Sequence, residues 1–184
     1  MSKEHKVGLP PNEALEMLDK VSPTFCLAKW LQVTLNLHTG TNASCCLTPP
    51  SKIELTKVSE NQNEFHNTEE NLKDRKGLLE GQKVPSCQFC WGQEAKSDKL
   101  TSERIYKSAS PWANPHLDEV LKAGSKNQIK PTYLEVSFSS KCNLRCAYCS
   151  PQTSSSIYHE VKKFGPYTDS SSLNDIPNDI IFNN

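Results

Sequence analysis

The sequence predicts an α+β chain: a β-hairpin with short helices, followed by the first strand, loop and helix of a second, βα-type unit. Three observations carry this reading. Leu31, Val33, Leu35 and Leu37 alternate with Gln32, Thr34, Asn36 and His38, the period of two expected of a half-buried strand. Several short stretches elsewhere begin on helix-capping residues and end on glycine. Finally, Tyr133 to Phe138 reads as another strand that runs directly into Lys141-Cys142, with helical periodicity resuming at about Ser154.

In chain order, Pro10-Pro11-Asn12 precedes Glu13-Ala14-Leu15-Glu16-Met17-Leu18, a capped short helix that ends near Ser22-Pro23. After the first strand, Thr39-Gly40-Thr41-Asn42 turns the chain. Residues 43–47 are expected to return as the second hairpin arm until Pro49-Pro50 stops it. Residues 59–63 read as a polar loop. Asn67-Thr68 can cap a helix through about Glu80, carrying Leu72, Leu78 and Leu79 and terminated by Gly81. Pro85-Ser86 leads into Cys87-Gln88-Phe89-Cys90-Trp91, and 96–110 is expected to be irregular or briefly helical. Asn114-Pro115 starts a helix with Leu117, Val120 and Leu121 on one face and Gly124 at its end. The last helix, 154–164, places Ile157, Val161 and Phe164 together and stops at Gly165-Pro166. Beyond Asp169 the chain is rich in Ser, Asn and Asp and is expected to be poorly ordered. The expected domains are 1–124 and 132–184, joined by a linker at 125–131.

Composition narrows the function. With 21 basic and 21 acidic residues among 184, the chain lacks the cationic excess that holds proteins on nucleic-acid phosphates, so no nucleic-acid partner is expected. The start of the sequence has no secretory leader and no run approaches the roughly 18 apolar residues of a membrane span, so a cytoplasmic protein without a membrane partner is expected. A mean hydropathy of -0.62 predicts a modest core that needs help beyond apolar burial. Eight cysteines are the candidates for that help, and in a reducing compartment clustered thiols point to metal or redox chemistry rather than disulfides.

The thiols fall into two groups. Cys142, Cys146 and Cys149 lie within eight residues directly after a strand. A closed structural zinc site takes four protein ligands, whereas three thiolates on a four-iron cluster leave one iron open to an external ligand. The second group is Cys26, then Gly40 after 13 residues, Cys45 after four more, and the Cys87-x2-Cys90 pair. These four thiolates suffice to close a site. Cys45 and Cys46 cannot both face it from one strand, because neighbouring side chains point to opposite sides; Cys45 is the expected ligand, with Cys46 as its substitute.

Strand, then C-x3-C-x2-C with an aromatic residue before the last cysteine, resembles the signature of the radical S-adenosylmethionine (radical SAM) enzymes. The resemblance implies that Cys142, Cys146 and Cys149 hold a 4Fe-4S cluster, that S-adenosylmethionine chelates the open iron, and that Tyr148 lies on the adenine side. It implies reductive cleavage of the cofactor to a 5'-deoxyadenosyl radical, driven by a flavodoxin- or ferredoxin-type electron donor. Cys26, Gly40, Cys45, Cys87 and Cys90 resemble the first half of the auxiliary-cluster modules called SPASM or, in their shorter form, twitch, which implies an auxiliary 4Fe-4S cluster on those four cysteines. Lys96 stands where the fuller SPASM pattern carries a further cysteine, so the shorter type fits. Phe25-Cys26-Leu27-Ala28-Lys29-Trp30, His66-Asn67-Thr68, Leu78-Leu79-Glu80-Gly81, Ser102-Glu103-Arg104-Ile105-Tyr106-Lys107-Ser108 and Tyr133-Leu134-Glu135-Val136-Ser137-Phe138-Ser139 extend the likeness to twitch-containing radical SAM proteins of bacteria and phages. A peptide or protein substrate is the family-level expectation.

In this reading the fold is a twitch-like module followed by the first βα unit of a partial (β/α) barrel. A full barrel takes about 250 residues. The family's Gly-Gly-Glu type motif is missing, so the expectation is a C-terminally truncated chain that cleaves the cofactor weakly or not at all by itself. Two alternatives stay open: an iron-sulfur electron-transfer or partner-binding module, and a four-cysteine zinc-binding structural protein. Arg145 and Lys141 are expected to be solvated loop charges. Trp30, Trp91 and Trp112 are expected to be core anchors, and His38, His66, His116 and His159 surface or helix-face residues.

Overall fold

The computed structural model describes residues 8–54, 56, 65–97, 102–126 and 129–167. The expected loop at 59–63 and the expected tail beyond Asp169 lie outside the described residues. The chain divides into two compact units. The first comprises residues up to Leu35 together with Asn42–Glu135, and the second Asn36–Thr41 together with the chain from Val136. The division thus falls within a strand, and the segment expected as a linker contributes Ile129, 3% exposed, to the core of the first unit.

In the first unit, Pro10 pre-sets the start of α1 (Pro11–Asp19), which buries Ala14 and Leu18. The chain then turns through Ser22–Thr24 into α2 (Ala28–Leu31), one helical turn with every residue buried, and continues directly as β1 (Gln32–Asn36). Leu31 therefore belongs to the helix rather than the strand. Gln32, expected to face solvent, is fully buried, because the strand starts inside the core and receives a hydrogen bond from Lys107 Nζ at 3.1 Å on Gln32 Oε1. The hairpin turn carries Gly40 at φ 63°, a left-handed conformation that glycine adopts without strain. Its return strand β2 (Thr41–Ala43) is shorter than expected, and residues 44–48 bend away from it. With β3 (Ser51–Lys52) and β4 (Tyr133–Ser137) the strands form a sheet ordered β3-β2-β1-β4. Thr132 N donates to Leu31 O at 2.8 Å and Leu37 N to Ser137 O at 2.9 Å, so partners advance together and β4 runs parallel to β1.

Thr68 caps α3 (Glu69–Leu79) as expected, its hydroxyl accepting from Asn71 N, and Gly81 at φ 75° ends it. A 3-10 turn at Pro85–Cys87 opens α4 (Gln88–Lys96). The stretch expected to be irregular or briefly helical holds α5 (Glu103–Ala109), capped by Ser102 and burying Arg104, Ile105, Ser108 and Ala109. Helix α5 packs against α1, with Leu9 N donating to Ala109 O at 2.8 Å. A turn at Asn114–His116 leads to α6 (Leu117–Ala123). Trp30, Phe25, Leu78, Trp91 and Ile105 join one core cluster. Trp30 and Trp91 are buried in it as expected, and Trp112, partly buried, packs against it and stacks on Tyr133 with ring centres 5.0 Å apart.

The second unit contains the end of β4, the cysteine loop and α7 (Ser155–Phe164), whose cap Ser154 accepts from Ile157 N. Ile157 and Val161 are buried as expected; Phe164 is 75% exposed. No helix among the described residues is long and apolar enough to cross a membrane.

His66 departs most from expectation: it is 1% exposed. Its Nε2 meets Trp30 O and lies 2.9 Å from Arg75 Nη2. Burial, and then the Arg75 guanidinium, push its pKa down to about 4, against the pull of the Trp30 hydrogen bond. Below the ordinary histidine range the unfolded chain binds a proton that the folded protein does not. This contribution to stability is therefore complete above pH 6.5 and is lost as pH falls toward about 4. Denaturant titrations of the wild type and His66→Gln at pH 7 and pH 4 should show the wild type's relative stability shrinking by about 3 kcal/mol on acidification. A pH-independent difference would contradict a neutral buried imidazole.

Candidate metal centre

Cys26 stands just before α2, Cys45 in the turn after β2, and Cys87 and Cys90 around the start of α4. The fold brings the four to one cavity of ≈ 20 Å³, lined also by Lys29, Glu103, Arg104 and Lys107. Each backbone approaches differently. Cys26 is fixed where Lys29 N bonds to Cys26 O at 3.3 Å, and the turn at Cys45 is closed by Thr48 N on Cys45 O at 3.0 Å. Cys87 N bonds to Val84 O at 3.2 Å and closes the 3-10 turn before α4, and Cys90 follows three residues on in the first turn of that helix. No three His, Cys, Asp or Glu side chains among the described residues close on one metal position. The thiols stand around a shared space rather than a point.

Position separates the two members of the Cys45-Cys46 pair. Cys45 shares the cavity, whereas Cys46 is exposed and its Sγ lies 3.2 Å from Lys107 Nζ. The expected choice of Cys45 rests here on a turn rather than on strand alternation, since β2 ends at Ala43. Burial, and then the neighbouring Cys87, Cys45 and Cys90, push the Cys26 thiol up to about 12, with Arg104 opposing. Burial pushes Cys45 up to about 11, against the Leu47 backbone hydrogen bond and Lys107. Cys87 and Cys90 are raised too, again chiefly by burial, with Lys29 and Ser86 opposing at Cys87 and Ser102 at Cys90. The metal-free set is therefore protonated at neutral pH, and any cation it binds must displace protons. Lys29, Arg104 and Lys107 line the cavity with Glu103; Lys29 is ion-paired to Asp74 and Arg104 to Glu94, so each of these two cations reaches the thiols together with a carboxylate. In the chemistry of its donors, the set fits a thiolate-ligated metal or cluster.

The second unit holds Cys142, Cys146 and Cys149, each half-buried. Their loop is tied to the first turn of α7. Cys142 N donates to Ser155 Oγ at 3.0 Å, and Cys142 O accepts from Ser155 Oγ at 3.3 Å and Ser156 Oγ at 2.5 Å. Ser154 Oγ donates to Leu144 O at 3.2 Å, and Cys149 N to Cys146 O at 3.0 Å. These serines, read from sequence as helix caps, thus also hold the cysteine loop. Tyr148 is 84% exposed, and its hydroxyl meets Cys146, which raises its pKa. Arg145 pairs with Glu160 at 2.8 Å. Among the histidines, His38 Nδ1 lies 3.4 Å from Ser137 Oγ, His116 pairs with Glu119 at 3.1 Å, and the His159 ring packs edge-on to Tyr158.

Sequence reasoning passed over Lys29 and Glu94. Lys29 is 4% exposed and ion-paired to Asp74 at 2.7 Å, and Arg104, 2% exposed, is paired to Glu94 at 2.9 Å. Their spacing in sequence gives no signal, because each pair joins different elements.

In the metal-free protein, alkylation followed by peptide mass analysis should label Cys46 first and Cys26 last, since only Cys46 is exposed and burial most strongly suppresses the Cys26 thiolate. Labelling of Cys26 as fast as Cys46 would contradict the enclosed cavity. Compared with protein-family models, with curated proteins and with solved structures, the chain matches none of them.

Proposed function

We propose that this chain is a radical SAM protein with one auxiliary iron-sulfur centre. Cys142, Cys146 and Cys149 hold the cluster that takes up S-adenosylmethionine, and Cys26, Cys45, Cys87 and Cys90 hold the second. The observation that carries the reading is the meeting of four cysteines from three separate stretches at one cavity, in a chain that also has a C-x3-C-x2-C loop after a parallel strand. Bound there, the first cluster and its cofactor supply reductive cleavage to a 5'-deoxyadenosyl radical for hydrogen abstraction, from a peptide or protein in the family-level reading.

This chain's own residues supply holding and screening. Ser155 and Ser156 fix the Cys142 backbone, and Ser154 fixes Leu144. At the auxiliary site, Lys29, Arg104 and Lys107 offset thiolate charge, and Leu47 and Phe89 complete the lining. A four-thiolate ligand set leaves no open metal position, which assigns that centre to electron relay or to holding the module in shape rather than to binding substrate.

A four-cysteine zinc site is the second reading, favoured by the same meeting of four thiols at one cavity, since four thiolates also make a closed zinc ligand set. Anaerobic reconstitution with iron and sulfide decides between them. Two four-iron clusters give about eight irons per chain, falling by about half in a Cys142→Ala, Cys146→Ala, Cys149→Ala variant. Purified protein holding zinc without acid-labile sulfide would overturn the iron-sulfur reading. Assay of 5'-deoxyadenosine after adding S-adenosylmethionine and dithionite tests the cofactor chemistry separately.

A further inference from the structure

Lys29 is a charged side chain almost wholly inside the first unit. Its Nζ lies 2.7 Å from Asp74 Oδ2 and donates to Ser44 Oγ at 3.0 Å and Ser86 Oγ at 3.1 Å. Ser86 Oγ in turn donates to Asp74 Oδ2 at 2.5 Å and lies 3.8 Å from Cys87 Sγ. The positions of these partners matter. Ser44 immediately precedes Cys45, Ser86 immediately precedes Cys87, and Lys29 itself sits one turn beyond Cys26. One buried ammonium therefore ties together the segments carrying three of the four thiols, which are otherwise remote in sequence. On its other side the same group lines a cavity of ≈ 420 Å³ together with Ser44, Asp74 and Ser86. A buried ion pair is not a general stabiliser, since apolar residues of similar volume often replace one without loss. Its placement between two thiol-bearing turns therefore calls for a reason.

We propose that Lys29 is a positioning and charge-setting residue of the four-thiolate centre. It locks the turns that carry Cys45 and Cys87, and its cation favours the more negative redox state of the group bound there, while Asp74 holds it in place and partly offsets it. The inference rests on the reading of Cys26, Cys45, Cys87 and Cys90 as ligands of an iron-sulfur cluster. Reduction delivers one electron from an external reductant and adds one negative charge, with no bond made or broken. Fixed charges in a low-dielectric surrounding then act on the potential according to their sign.

The test uses the full chain carrying Cys142→Ala, Cys146→Ala and Cys149→Ala, so that only the auxiliary cluster is titrated. Lys29→Met, Asp74→Asn and the double variant are reconstituted in that background. Iron and sulfide per chain, circular dichroism and the midpoint potential are measured for each. The expected result is a lower potential in Lys29→Met, a higher one in Asp74→Asn, and a return toward the parent in the double variant. Loaded variants with unchanged potentials, or shifts of the same sign in both single variants, would overturn the proposal. If Lys29→Met takes up no cluster, Asp74→Asn decides alone: an upward shift supports the proposal and any other result sinks it. A parent chain that takes up no cluster overturns the four-thiolate reading itself and this inference with it.

Discussion

Residues 25–31 set the terms for the first unit. All but the half-buried Cys26 are buried around a helix of a single turn, and one turn cannot satisfy its own terminal backbone groups. Buried amides and carbonyls left without partners would each cost on the order of 1–3 kcal/mol. The chain meets this need from a distance. Arg104 Nη1 donates to Phe25 O at 3.0 Å, Leu27 N donates to Ser108 Oγ at 3.0 Å, and Arg75 Nε donates to Lys29 O at 3.2 Å. His66 meets Trp30 O, and Thr132 N donates to Leu31 O at 2.8 Å. Helices α3 and α5 and the entry to β4 are thus drawn onto one short segment by its backbone.

The thiol set inherits its location from that constraint. Cys26 opens the segment and Lys29 lies within it. Arg104, drawn in to serve Phe25 O, also lines the cavity and stacks near Trp91 at 5.9 Å. The cations at the thiols are therefore part of the scaffold. Arg104 is held by Glu94 and Lys29 by Asp74, so neither is free to leave when the thiols are protonated. Desolvation keeps protons on the sulfurs while the cations favour their loss. The balance tips only when a metal competes for the thiolates.

What the sequence made legible was local. Thr68 as a cap, Gly81 and Gly165 as stops, Ser154 before the last helix and the turn at Gly40 are encoded within a few residues of where they act. The cysteine spacing was legible for a similar reason, because a short loop leaves little freedom. Hidden features depended on long-range partners. Gln32 looked like the polar face of a strand, but Lys107, 75 residues away, meets it inside. His66 looked like a surface residue, and its burial follows from the carbonyl of Trp30, 36 residues away. A brief helix within 96–110 was legible, but its burial was not, because the buried face of α5 carries Arg104 and Ser108, polar side chains that serve another segment's backbone.

The same contrast separates the two cysteine groups physically. Cys142, Cys146 and Cys149 are arranged by hydrogen bonds to residues at most 14 positions away, and Leu144 and Tyr148 beside them are exposed. Such a loop is shaped by its own neighbours in sequence and lies at the surface of its unit. Cys26, Cys45, Cys87 and Cys90 converge only when segments tens of residues apart have packed, and the cavity they line is narrow. For them, the arrangement of the thiols and the tertiary structure of the first unit are one equilibrium, so a change that loosens the packing of Cys26, Cys45 or Cys87 also disperses the set.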